Sequence, residues 1–125
     1  MVEMDLKKRT KKFAHDCVKI SMQFPNNKLG MHLQGQLIRC STSVAANYRA
    51  ACIAQSKKSF VSKLSIALEE VDESHFWLEF ARDESVLSNT EQLHLLINES
   101  SELTAIFISS RKTAQKNANA KIINH

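Results

Sequence analysis

Glycine and proline are scarce in this chain. It has two Gly and one Pro among 125 residues, whereas sheets and tight-turned folds usually need more of both. Aromatic side chains are also few, with six Phe, one Trp and one Tyr. No apolar run reaches the roughly 18 residues that a membrane-spanning helix needs. These scarcities favour one soluble domain of long, uninterrupted helices, with no membrane as a partner.

Signals for export and for disulfides are missing as well. The amino terminus has no hydrophobic segment followed by a small-residue cleavage site, so we expect a cytoplasmic protein. The three cysteines, Cys17, Cys40 and Cys52, are an odd number without paired spacing. We predict that each is a small, buried apolar side chain in a reducing compartment.

The patterns that usually accompany catalysis are absent from the sequence. There is no glycine-rich phosphate loop, no paired-cysteine zinc spacing and no motif around a serine or cysteine nucleophile. His75 lies near Glu79 along a helix, and Glu69 and Glu73 share a helix face, but acid–base chemistry would require a cleft around them. We therefore expect no enzymatic activity, no cofactor and no metal.

Four segments carry apolar residues at steps of three and four, which is the helical period. The clearest is the second, where Leu33, Leu37, Cys40 and Val44 form one stripe. The sequence predicts helices over about 4–23, 29–55, 57–84 and 89–110, followed by a frayed basic tail over 111–125. Short connections between such helices predict an all-α fold, an antiparallel up-down-up-down four-helix bundle in a single domain over 1–125.

Local signals mark the helix boundaries. Pro25 should end the first helix, because the residue before proline avoids helical torsions. An asparagine of the following Asn26-Asn27 pair can cap the second helix, and Ser56 can cap the third. The segment Ser88-Asn89-Thr90-Glu91 matches a capping box in which Glu91 occupies the third helical position of the fourth helix.

The third helix carries apolar side chains beyond its core seam. The seam runs from Phe60 to Ala81 with heptad spacing. Outside it lie four further apolar residues: Ile66, Phe76, Trp77 and Phe80. We predict that these four form an oligomer interface, because together they would make a large exposed apolar patch. The alternative is that neighbouring helices bury them within one bundle.

Charge is segregated along the chain. Residues 17–68 contain seven basic and no acidic residues, and residues 69–102 contain ten acidic residues and one basic residue, Arg82. The candidate contacts to nucleic-acid phosphates are Arg39, Arg49, Lys57, Lys58 and Lys63, together with the basic run over 7–12. The alternative is that these cations are solvated or form salt bridges with the acidic third helix of a neighbouring subunit.

Several motifs follow one another with a distinctive spacing. They are FP at 24–25, LG at 29–30, Gln36-x-x-Arg39, SVAANYRAA at 43–51 and SKKSFVSKLSIALEEVDESHFWLEF at 56–80. Over about 13–110 the chain resembles the small bacterial four-helix-bundle proteins encoded in intervening sequences of large-subunit ribosomal RNA genes. The chain departs from many relatives at Arg49-Ala50-Ala51 and at Glu69-Glu70.

The resemblance implies a bundle that commonly assembles as a ring of five, with no established enzymatic activity. It also implies distant kinship with accessory proteins of diversity-generating retroelements, which are basic pentamers that bind nucleic acid and a reverse transcriptase. Two functions stay open at this point. One is a homopentameric protein that binds RNA or DNA as a ribonucleoprotein accessory factor. The other is an oligomeric scaffold that docks a protein partner and has no nucleic-acid role.

Overall fold

The computed structural model describes the backbone of residues 5–123 and the side chains of residues 5–117. Four helices account for most of it: α1 (Leu6–Ser21), α2 (Lys28–Cys52), α3 (Lys57–Asp83) and α4 (Glu91–Ile123). No strand occurs within residues 5–123. The prediction of an all-helical fold with four helices is therefore confirmed.

The length of α4 differs from the prediction. The sequence predicts a fourth helix that ends near 110, followed by a frayed tail. In the structure α4 continues to Ile123. The predicted helix end is therefore wrong, and residues 111–123 are helical. Packing explains the extension, because Ala114 is buried and Arg111 donates to the Ser65 hydroxyl of α3 at 3.4 Å. Position 4 of the predicted first helix and positions 124–125 of the predicted tail lie outside the described residues, as do positions 1–3.

Side-chain caps define three of the helix starts. Asp5 accepts a hydrogen bond from the backbone N–H of Lys7 at the start of α1. Asn27 caps α2 through the N–H of Gly30 at 2.8 Å, and Ser56 caps α3, so both predicted caps are confirmed. Each such cap satisfies a backbone donor that the helix itself leaves unpaired.

The predicted capping box of α4 is wrong. Glu91 is the first helical residue rather than the third. The backbone N–H of Glu91 donates to the side-chain oxygen of Asn89 at 3.0 Å. The helix therefore begins two residues later than a Ser88 cap would require, and Asn89 supplies the acceptor instead.

All four helices contribute to one core. α2 packs against α1 and α3, α4 packs against α3, and α1 also contacts α4. The largest fully buried apolar side chains come from every helix: Phe13, Ile20, Leu33, Leu37, Val44, Leu64, Val71, Leu78, Leu93, Leu103 and Phe107. Burying each such side chain contributes about 1.5–3 kcal/mol of transfer free energy. The packed core therefore holds the four helices, and the surface side chains that they carry, in fixed relative positions.

Contacts between successive helices run in opposite residue order. On α2 and α3, His32 meets Trp77 with ring centroids 5.4 Å apart, and the Ser74 hydroxyl lies 3.2 Å from the Cys40 sulfur. On α3 and α4, Ser65 meets Arg111, whereas His75 meets Ser100.

The cysteines divide into two groups. Cys17 and Cys40 are buried, as predicted, whereas Cys52 is exposed. The prediction for Cys52 is wrong because this residue is the last of α2, where the core no longer covers the helix. Burial raises the pKa of the Cys17 thiol well above its usual value and that of Cys40 to about 11, since desolvation disfavours the thiolate.

Candidate functional site

The predicted phosphate contact Arg39 is occupied by carboxylates of its own chain. Its guanidinium forms ion pairs with Glu73 and with Glu70, the latter at 3.4 Å. The hydrogen bond to Glu73 raises the pKa of Arg39. The alternative considered in the sequence analysis was that such salt bridges form between subunits. In the structure they form between α2 and α3 of the same chain.

Trp77 completes this network. Its indole N–H donates to the Glu73 carboxylate at 3.0 Å, one helical turn away on α3. That hydrogen bond and the Arg39 guanidinium lower the pKa of Glu73. Arg39 therefore contributes mainly to holding α2 and α3 together, and its charge is largely offset at this surface.

Arg49 lies in a different environment, a surface groove between α1 and α2. We call it the α1–α2 groove; it encloses about 450 Å³. Three lysines of α1 (Lys7, Lys8 and Lys11) and Arg49 of α2 line it. The other lining residues have short side chains: Asp5, Ala45 and Ala46. Four cationic side chains thus surround one groove whose α2 wall consists of two alanines and an arginine.

The basic run of α1 is divided between two sides of the helix. Arg9 points to α4, where it bonds Glu99 through two nitrogens at 2.8 Å each and also contacts Glu102. Lys12 pairs with Asp16 along α1. Lys7, Lys8 and Lys11 form no ion pair with a carboxylate among the described residues, and they are the three that line the groove.

The one carboxylate in the groove has a local role. Asp5 is the N-cap of α1 and accepts from the backbone N–H of Lys7 at 2.9 Å. Among the described lining residues, four cations therefore stand beside one capping carboxylate. Such an arrangement can attract an extended anion through several contacts at once.

The other three predicted phosphate contacts are not part of this groove. Lys57, Lys58 and Lys63 are exposed on α3. Lys57 borders a separate hollow with Gln55, Phe60 and Ala114. Of the five predicted positions, only Arg49 belongs to a basic cluster. The other cations of that cluster come from the basic run over 7–12, which the sequence analysis had noted. Helical periodicity alone could not show which residues of that run face α2 and which face α4.

Three of the four predicted interface residues, Phe76, Trp77 and Phe80, form one aromatic patch together with His32 of α2. The Phe76 and Trp77 rings are 4.9 Å apart, and the Trp77 and Phe80 rings are 6.0 Å apart. Phe76 is 51% exposed, whereas Trp77 packs partly against the core. Ile66 is also exposed on α3. Within one chain, the neighbouring helices leave about half of Phe76 exposed and just over a third of Phe80 and of Ile66.

A serine, a histidine and a carboxylate come together between α3 and α4. His75 Nδ1 lies 2.7 Å from the Ser100 hydroxyl, and His75 Nε2 lies 3.3 Å from Glu79. The order resembles a nucleophile, a base and an orienting acid. However, Ser100 is fully buried and donates to the Ile97 carbonyl, so a substrate cannot reach its oxygen and the contact serves to join the helices.

The part of the chain that the structure describes offers neither a metal site nor a membrane-spanning helix. No group of three or more His, Cys, Asp or Glu side chains converges there in a way that could hold a metal ion. Among the described helices, none combines the length and the apolar character needed to cross a bilayer.

Comparison with known proteins decides the family. The family model described as "23S rRNA-intervening sequence protein" matches residues 2–109. The chain belongs to the 23S rRNA-intervening sequence protein family. No curated protein matches its sequence.

A solved structure of a related protein supports the same fold. It is a protein of unknown function from the S23 ribosomal protein family of Bacteroides thetaiotaomicron VPI-5482. It shares 32% sequence identity with the present 23S rRNA-intervening sequence protein and superposes with a TM-score of 0.79. The match covers 86% of this chain and 99% of the other.

Proposed function

We propose that this 23S rRNA-intervening sequence protein is a non-enzymatic, cytoplasmic oligomer that binds the phosphate backbone of RNA or DNA. The observation that carries the proposal is the α1–α2 groove. There Lys7, Lys8, Lys11 and Arg49 gather, and the three lysines have no ion pair with a described carboxylate.

The proposed assembly is an antiparallel up-down-up-down bundle that repeats in a homopentamer. The opposite residue order of the α2–α3 and α3–α4 contacts supports the antiparallel arrangement. The number five comes from the family resemblance noted in the sequence. A ring would present five copies of the groove, and linked sites that engage one polyanion bind far more tightly than one site does.

The proposed binding mode is electrostatic. Each phosphate that a lysine or arginine neutralises releases counterions, so affinity should fall steeply with added salt. Arg39 is left out of this mode because Glu70 and Glu73 already pair with it. Lys57, Lys58 and Lys63 have a lesser role because the groove does not include them.

A matched pair of double variants tests the groove. Lys11→Gln with Arg49→Gln removes two groove charges, whereas Lys58→Gln with Lys63→Gln removes two exposed charges from α3. Binding of a mixed structured RNA is measured by fluorescence anisotropy over a range of salt concentrations. The groove variant should lower the slope of log affinity against log salt by about two for each groove engaged, and the control should change it by much less. Equal effects of the two variants, or binding that is insensitive to salt, would contradict the groove as the binding site.

The second candidate function is an oligomeric scaffold that docks a protein partner. The specific observation in its favour is the aromatic patch, in which Phe76 and Phe80 are exposed, while Ile66 is a further exposed apolar residue on the same helix. In that case both double variants would leave assembly and partner binding unchanged, and RNA would bind feebly at moderate salt. The distant kinship with retroelement accessory proteins stays a prediction and would favour the first candidate.

A further inference from the structure

The α1–α2 groove contains no aromatic side chain. Its lining consists of Lys, Arg, Ala and one Asp. All eight aromatic residues of the chain lie within the described side chains, so each can be placed. Phe13, Phe24 and Phe107 are buried in the core, and Tyr48 and Phe60 pack against it. The remaining three, Phe76, Trp77 and Phe80, belong to the aromatic patch of α3.

Tyr48 is the aromatic residue nearest in sequence to Arg49, but its ring is already used. It stacks on Phe107 with the ring centroids 5.5 Å apart and the planes 8° from parallel. That contact turns Tyr48 toward α4 and the core. A base lying in the groove would therefore contact cations and methyl groups, and no aromatic ring would be available for stacking.

Stacking is what gives single-stranded nucleic acid much of its affinity for proteins. Aromatic platforms typically combine with a basic groove, and each stacked base contributes substantially. A duplex keeps its bases stacked on one another and exposes its phosphates along both strands, so it needs no protein ring for stacking and loses nothing in a groove without rings. It also carries one charge per about 1.7 Å of axis, which rewards a fixed cluster of cations.

The wall of the groove suits such a close backbone approach. Among the described lining residues, Ala45 and Ala46 are the uncharged ones, and their methyl groups leave the space between the cations open. The described lining residues include no Asn, Gln, Ser or Thr that could read a base edge, and Asp5 is engaged in capping α1. The lysines and the arginine can contact the phosphates of any sequence. Contacts to phosphates position a protein on nucleic acid but carry no sequence information.

We infer that the α1–α2 groove is a site for double-stranded nucleic acid, which it holds by the phosphate backbone without reading base sequence. The inference rests on the proposed function and narrows its ligand to a duplex. RNA and DNA duplexes share the relevant chemistry, so the groove should accept both. A single strand with the same number of phosphates should bind less tightly than either duplex.

The test compares four probes with equal numbers of phosphates on the full-length protein. They are a duplex RNA, a duplex DNA of the same sequence, a duplex RNA of scrambled sequence and an unstructured single-stranded RNA. Affinity is measured against salt for the wild type, for Lys11→Gln/Arg49→Gln and for the control Lys58→Gln/Lys63→Gln. Circular dichroism of each variant confirms that the helices are intact.

The three duplexes should bind within about threefold of one another, and the single strand about tenfold or more weakly. Four contacts to one groove correspond to a salt slope of about 3.6 for duplex DNA and about 2.8 for a single strand. The groove variant should weaken duplex binding about tenfold or more at low salt, and the control should change it by less than about threefold.

The outcomes separate the two levels of the proposal. A single strand that binds as tightly as the duplexes overturns the inference but leaves the phosphate-binding function in place, and so does a strong preference for one duplex sequence. If no probe binds, or if the groove variant behaves like the control, the proposed function fails together with the inference. Loss of single-strand binding in Phe76→Ala/Phe80→Ala would place that ligand on the aromatic patch, which also overturns the inference.

Discussion

Arg39 of α2 and Glu73 of α3 form an ion pair across the helix interface, inside one chain. The same carboxylate accepts the indole N–H of Trp77. One acidic residue therefore neutralises a predicted phosphate contact and orients a ring of the aromatic patch. Because Glu73 joins these two features, its removal should be detectable in the stability of the protein.

Replacing Glu73 by Gln should lower the free energy of unfolding near neutral pH by about 0.5–1 kcal/mol, the usual range for a partly exposed ion pair. The Trp77 and Arg39 hydrogen bonds lower the folded-state pKa of Glu73 below its usual 4.5. A lowered pKa stabilises the folded state above the unfolded value, and this contribution disappears as the pH falls through the folded pKa. Denaturant unfolding at several pH values should show the difference between the two proteins shrinking as the pH falls below 4.5.

Glu69→Gln is the control for this experiment. Glu69 is exposed on the same helix and has no salt bridge to a described residue. Glu69→Gln should therefore lower the free energy of unfolding at neutral pH by less than Glu73→Gln does. A difference that stays constant down to acid pH would contradict the assigned role of the Glu73 charge.

The two glycines provide a matched pair for packing. A methyl group at Gly30 would lie 1.9 Å from the Pro25 carbonyl oxygen, whereas one at Gly35 would meet nothing within 4 Å. Gly30→Ala should therefore destabilise the protein by about 1–3 kcal/mol. Gly35→Ala should stabilise it by about 0.5–1 kcal/mol, because alanine favours the helix.

Thermal and urea unfolding of the two glycine variants provide the measurement. The prediction depends on the tight approach between the α1–α2 connection and the first turn of α2. Similar effects of the two substitutions would show that this approach is not maintained in solution.

The aromatic patch predicts an oligomer interface that charge can disrupt. Phe76→Glu places a charge at the most exposed ring of the patch, and an interface would have to desolvate it. We expect the mass measured by light scattering on a size-exclusion column to fall from that of an oligomer to that of one chain, with helicity retained. Ile53→Glu is the control, since Ile53 is 76% exposed at the end of α2. A wild-type monomer, or an assembly that survives Phe76→Glu, would refute this interface.

The thiols should differ in reactivity. Cys17 and Cys40 are buried, whereas Cys52 is exposed, and burial raises the pKa of both interior thiols. Alkylation of the native protein followed by mass spectrometry should label Cys52 alone, because the thiolate is the reactive form. All three should react in denaturant, and Cys52→Ser should leave the native protein unlabelled. Rapid native labelling of Cys40 would mean that the α2–α3 interface opens readily.

Much of the fold could be predicted because helical period is a local property of sequence. The stripe through Leu33, Leu37, Cys40 and Val44 indicated α2 correctly, and Asn27 and Ser56 capped the helices they were expected to cap. The end of α4 was missed because the contacts of Ala114 and Arg111 with the rest of the chain are not visible in a weakly periodic segment. The start of α4 was missed because the capping-box pattern put the cap at Ser88, whereas the Asn89 side chain accepts from the N–H of Glu91.

The candidate site was predicted less well, for a different physical reason. Composition showed that cations were concentrated before residue 68, and this excess is a property of the chain itself. Whether a given cation is available depends on which carboxylates the neighbouring helices bring within about 4 Å. Tertiary packing brought Glu70 and Glu73 to Arg39, brought Glu99 to Arg9, and left Lys7, Lys8 and Lys11 beside Arg49. Local sequence dictates the helices and where cations are concentrated along the chain. Which of these cations meet a carboxylate among the described residues depends on the folded structure, because pairing requires short distances between helices that are far apart along the chain.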